Sequence, residues 1–80
     1  MVRLKEIRKT DEYIEACYYP ESTEAEGYIR LDFNGNVIEK RLTEYEGYFH
    51  SYFNPARNRL EEYLQLEESQ IPDQTIVMWY

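Results

Sequence analysis

Tyr28-Ile29-Arg30-Leu31-Asp32-Phe33-Asn34-Gly35-Asn36-Val37-Ile38-Glu39-Lys40, residues 28–40, is the stretch that decides how this chain folds. Apolar and polar side chains alternate from Tyr28 to Phe33, the period of a strand with one buried face. Asn34-Gly35 follows, and both residues tolerate the positive φ angles of a type I′ turn, whose twist matches paired strands. A two-residue loop there sets Phe33 opposite Asn36, Leu31 opposite Ile38 and Ile29 opposite Lys40. The other face pairs Arg30 with Glu39 and Asp32 with Val37. This register gathers Ile29, Leu31, Phe33 and Ile38 on one side and lets opposite charges meet on the other. Only Val37 falls on the polar side.

Upstream of the hairpin, residues 13–19 read as a second strand, with Ile14, Ala16 and Tyr18 on one face and Tyr13, Glu15, Cys17 and Tyr19 on the other. Pro20 ends it, and residues 21–26 form an acidic loop. Residues 2–8 alternate loosely and are expected to be a strand. A competing reading makes 3–16 a helix, with Leu4, Ile7, Asp11 and Ile14 along one side. The β-rich run Cys17-Tyr18-Tyr19-Pro20 favours strands.

Downstream, Asn54-Pro55 starts a helix, since Asn can cap and Pro fits the first turn. Ala56, Leu60, Tyr63 and Leu64 repeat at helical spacing, and Phe49 and Phe53 extend that stripe backwards. The helix is expected over 54–67. Residues 71–73 are a loop, and residues 75–80 form a final strand that is apolar on both faces, as central or covered strands are.

The fold class expected is therefore α+β: one domain over residues 1–80, with an antiparallel sheet of four to five strands and one long helix packed on one face, in the order β-β-β-β-α-β.

Charge narrows the function classes. The net charge is −7. Residues 1–10 hold four cations (Arg3, Lys5, Arg8, Lys9) against Glu6, whereas residues 11–26 hold six acids and no cation. An acidic surface repels the phosphate backbone, so nucleic-acid binding is disfavoured. No run approaches the ~18 apolar residues of a membrane span. The N-terminus begins basic without an apolar h-region, so it does not read as a signal peptide. The single cysteine, Cys17, excludes an internal disulfide and reads as a small half-buried hydrophobe. A reduced, cytoplasmic setting fits.

Chemistry-bearing motifs are few. One His and one Cys, far apart, give no metal site, and Gly27, Gly35 and Gly47 are too scattered for a phosphate-cradling loop. No cofactor is implied. His50 is the sole conventional general base, and its neighbour Ser51 does not make a triad. Two groups read as contact surfaces. Arg57 and Arg59 sit in the first turns of the helix. By parity, Tyr13, Tyr19, Tyr28 and Trp79 share the sheet face opposite the hairpin's apolar face, as core or as a docking surface.

Three function classes follow. The first is a small cytoplasmic protein-interaction or accessory domain without catalysis, binding an unknown protein partner. The second is a single-stranded nucleic-acid module that stacks bases on aromatics beside Arg30, Lys40 and Arg41. The third, placed last, is an enzyme with His50 as base. The apolar end of the chain adds a homodimer with Trp79 near its interface, the alternative being a lid of tyrosines from residues 13–28.

Overall fold

The computed structural model describes residues 1–47 and 50–79. Strands β1 (Val2–Lys9), β2 (Ile14–Pro20), β3 (Gly27–Leu31) and β4 (Val37–Arg41) form an antiparallel meander. Helix α1 (Phe53–Tyr63) then crosses back over one face, a short 3₁₀ turn spans Glu68–Gln70, and β5 (Thr75–Val77) pairs with β1. The strand order is β4-β3-β2-β1-β5, and α1 touches β1, β2, β3 and β5. This is the α+β architecture expected, with five strands and one covering helix.

The core lies between the helix and one sheet face. Val2, Leu4, Ile7, Ile14, Ala16, Tyr18, Ile29, Leu31 and Val77 meet Phe53, Ala56 and Leu60 of the helix. Tyr18 is its largest fully buried side chain. Its ring lies across Gly27, the residue paired with it on β3, and packs edge-on to Phe53 with centroids 6.1 Å apart. A Cβ on Gly27 would sit 2.1 Å from Tyr18 Cε1, so only glycine admits the ring.

β1 is a strand, and a bulge explains the helical pattern in it. Lys5 pairs with Cys17 and Arg8 with Glu15, leaving two residues of β1 against one of β2. Glu6 takes φ 54 there. The extra residue reverses the side-chain alternation, so Leu4 and Ile7, three apart, both reach the core.

The hairpin departs from the two-residue turn. Gly35 alone has positive φ (+85), its N–H donates to Asp32 O at 3.0 Å, and Asp32 N–H donates to Asn36 O at 2.9 Å. Asp32 Oδ1 accepts from the N–H groups of Asn34 and Asn36, both at 2.9 Å. The carboxylate rebuilds the loop as a type I turn closed by a glycine bulge. Ile29 still faces Lys40 and Arg30 faces Glu39, but Leu31 meets Val37 rather than Ile38. Phe33 and Ile38, expected in the core, are 49% and 52% exposed and lie outside the cluster that α1 buries.

Both helix ends are satisfied from a distance. The N-cap is Tyr52 rather than Asn54, and it makes no side-chain cap bond. Glu46 Oε1 instead accepts the N–H groups of Tyr52 and Phe53, both at 3.0 Å, while Oε2 accepts Tyr18 Oη–H at 2.9 Å and Thr43 Oγ1–H at 3.0 Å. At the other end Lys9 Nζ donates to the carbonyls of Leu64 and Leu66. The helix ends at Tyr63, short of the expected residue 67, and continues as i→i+3 turns through Leu66.

β5 is an edge strand, not a central one, and has only three residues. Val77 points into the core, while Ile76 is exposed. Phe49, expected to extend the helix stripe, lies outside the described residues with Tyr48 and Tyr80.

Candidate functional site

The face of the sheet away from α1 carries Tyr13, Tyr19 and Tyr28 together. Glu15 is at its centre. It is only 7% exposed, buried between β1 and β3 by the side chains that bond it. Its Oε2 accepts from Arg8 Nε at 3.0 Å, and Oε1 accepts from Arg30 Nη2 at 3.1 Å and from Tyr28 Oη–H. Burial works against this charge, but the bonds from Tyr28, Arg8 and Arg30 outweigh it and hold the carboxyl below its ordinary range. Tyr28 is pushed up to about 12, first by burial and then by donating to Glu15.

Arg30 ties the cluster to its neighbours. Its Nε donates to Tyr28 Oη at 2.8 Å, its guanidinium carbon lies 4.2 Å from the Tyr13 ring centroid, and it reaches Glu39 at 3.7 Å. At the β1 end, Arg3 and Lys5 stand 5.3 and 5.4 Å from the Tyr19 ring. Each tyrosine on this face is thus paired with a cation of the same chain.

Beside the cluster, the β1 bulge opens a groove of about 610 Å³ lined by Glu6, Arg8, Glu15, Cys17, Tyr28 and Asp73 among others. Cys17 Sγ points to Glu26 Oε1 at 3.1 Å and Glu6 Oε2 at 3.5 Å. Burial, and then those carboxylates, push the thiol up to about 12. A thiol so held is protonated at neutral pH and is a poor nucleophile.

The cations are sorted by face. Five of the nine (Arg3, Lys5, Arg8, Arg30, Arg41) make their contacts here, against four of the sixteen acids (Glu6, Glu15, Glu26, Glu39). Glu68 and Asp73 also line the groove beside it, and the remaining four cations and ten acids lie elsewhere. The open face is therefore close to neutral on a molecule of net charge −7.

Other expected site residues lie elsewhere. Trp79 is not on this face; its ring meets Tyr52 edge-on at 5.9 Å, on the side of the helix. Arg57 donates to the Gly35 carbonyl at 2.7 Å and to Glu61 at 3.0 Å, so it clamps the helix to the hairpin turn. Arg59 pairs with Glu62 at 3.2 Å along the helix. His50 sits at the helix entry with φ 53, edge-on to Phe53, and among the described residues its buried Nδ1 has no hydrogen-bond partner. No group of three or more His, Cys, Asp or Glu among the described residues could hold a metal, and no helix among them is long and apolar enough to cross a membrane.

Glu15 and Arg8 escaped the sequence reading. The signal for Glu15 lay in the pairing of β2 with β3, which sets it directly opposite Arg30. No known protein family, curated protein or solved structure matches this chain. The geometry alone carries the functional reading.

Proposed function

We propose that this chain is a non-catalytic, cytoplasmic protein-interaction or accessory domain that docks a partner protein on the helix-free face of its sheet. The observation that carries this is the composition of that face: Tyr13, Tyr19 and Tyr28, each held by Arg or Lys, around a buried carboxylate. Tyr and Arg dominate the energetics of protein interfaces because they offer large, ordered contact area with polar tips. Here the rings are fixed before any partner arrives, so little side-chain entropy remains to be lost on docking. Charge points the same way. A partner approaching the open face meets a near-neutral surface, whereas the other side of the molecule would repel any acidic protein.

The same details weigh against base stacking. Tyr28 spends its hydroxyl on Glu15, which leaves it no polar tip for a base. A face whose cations do not outnumber its acids also gives little purchase on a phosphate backbone. Catalysis has weak support there too, since Glu15 has both oxygens bonded and Cys17 is held as the thiol.

The test is affinity capture with two baits, wild type and a Tyr13→Ala, Tyr19→Ala variant whose circular dichroism matches wild type. Proteins retained by the first and lost by the second are the expected outcome. Equal retention would move docking off this face. Salt-sensitive binding of single-stranded poly-uridylate that the double variant abolishes would replace the reading with the nucleic-acid one.

A further inference from the structure

The two edges of the sheet are built differently. β4 is defended: Glu39, Lys40 and Arg41 occupy three of its five positions, and its register is broken opposite Arg30 and Leu31. Charges and bulges of this kind keep a strand edge from pairing with another molecule. β5 has neither charge nor bulge, and only its three-residue length limits pairing. Residues 74–79, Gln74-Thr75-Ile76-Val77-Met78-Trp79, contain no charge in a chain that is 31% charged. Ile76, Met78 and Trp79 are 53%, 57% and 40% exposed. Among the described residues nothing pairs with the outer side of β5.

We infer that the β5 edge pairs antiparallel with the β5 edge of a second copy of this chain. An antiparallel edge is self-complementary about a two-fold axis, so the same strip serves both partners. Such pairing sets every residue against one from the same strip. A single charge near the centre of the strip would face its own image, and residues 74–79 avoid that in any register. The uncharged strip also offers a foreign partner no ionic handle, which favours the copy as the occupant. In an even register, Ile76 and Met78 of both chains meet on the open side. The two sheets become one of ten strands, with both open faces on the same side. This assembly does not depend on how the open face is used.

The test is sedimentation of the 9.8 kDa chain from roughly 10 to 300 µM, the affinity range suited to a short strip. Wild type is expected to rise toward twice that mass. Ile76→Lys, at an exposed position, is expected to stay at the monomer mass while keeping the wild-type circular dichroism spectrum. Met78→Lys reads the same way should Ile76→Lys lower the melting point. Ile38→Lys, on the guarded β4 edge, is expected to dimerise like wild type. A wild-type chain that remains at 9.8 kDa throughout the range overturns the proposal. So does a dimer that survives both lysines, or one that Ile38→Lys abolishes.

Discussion

Replacing Gly27 with alanine adds one methyl group, and the geometry around Tyr18 sets its effect. The new Cβ would lie 2.1, 2.2 and 2.7 Å from Tyr18 Cε1, Cζ and Cδ1. A ring in van der Waals contact needs about 3.5 Å, so Tyr18 must move by more than an ångström. It has little freedom to do so, being fully buried, packed on Phe53 and bonded through its hydroxyl to Glu46. Glu46 also holds the first N–H groups of α1, so a displaced ring either loses its hydrogen bond or drags the helix end. Overpacking costs about 1–3 kcal/mol, and a lost bond to a charged acceptor adds about 1.5–3. The lower entropy of an unfolded alanine chain returns about 0.4–1 kcal/mol. The net destabilisation is about 3 kcal/mol, or a melting temperature lowered by roughly 12–24 °C in a chain of this size. Gly27 does not have a positive φ, so the effect isolates the ring contact from backbone strain. Thermal and urea unfolding by circular dichroism measure it, together with a cycle in which Tyr18→Leu removes the ring. Gly27→Ala should then be close to neutral on the leucine background, an interaction energy well above the about 0.5 kcal/mol within which independent sites add. A melting point unchanged by Gly27→Ala, or an equal cost on both backgrounds, would refute the ring-over-glycine packing.

Three further outcomes follow from single groups. Glu46→Gln should cost about 2 kcal/mol at pH 7, because an amide cannot accept on both sides. Burial opposes the Glu46 charge, but its four hydrogen bonds lower its folded pKa below the ordinary value of 4.5. Its contribution is thus present above the unfolded pKa and lost as pH falls through the folded one. The gap between wild type and Glu46→Gln should hold above pH 4.5 and narrow as pH falls below it, and a gap that does not narrow on acidification would count against the assignment. Cys17, raised from 9.0 to about 12, should react with iodoacetamide about 1,000-fold more slowly in the native chain than in urea at pH 7.5; comparable rates would contradict its burial between Glu6 and Glu26. Gly35→Val should destabilise by about 1 kcal/mol or more, since a β-branched residue resists the positive φ there, and an unchanged urea midpoint would remove the glycine-bulge reading.

The hairpin, the meander and the helix were legible because each is written in local periodicity. What stayed hidden came from choices the period cannot see. The Leu4 to Ile7 spacing imitated a helix because one extra residue, Glu6, was folded into a bulge. Asp32 widened a turn that Asn34-Gly35 alone would have closed in two residues, and Phe33 went into the loop with it. Trp79 could not be placed by parity because β5 is apolar on both sides, so no alternation told Val77 from Ile76. The Glu15 cluster required the register of β2 on β3, and that register is set across the acidic loop at 21–26, which has no turn signature.

The tyrosines make the limit clearest. Tyr18 and Tyr19 are adjacent, equally amphipathic and both strand formers, yet one is the centre of the core and the other faces outward under Arg3 and Lys5. Hydrophobicity does not separate them. Their cross-strand partners do, because Gly27 stands directly opposite Tyr18 and leaves its ring a place to lie. A glycine that opens a strand across from an aromatic residue is therefore a signal of burial. Fixing that one pair also fixes the rest of the β2–β3 register, since Ile14, Ala16 and Tyr18 then follow Leu31, Ile29 and Gly27 into the core. The same register sets Glu15 on Arg30 and Cys17 on Tyr28. The composition of the open face is thus a consequence of where a single glycine allowed a ring to turn inward.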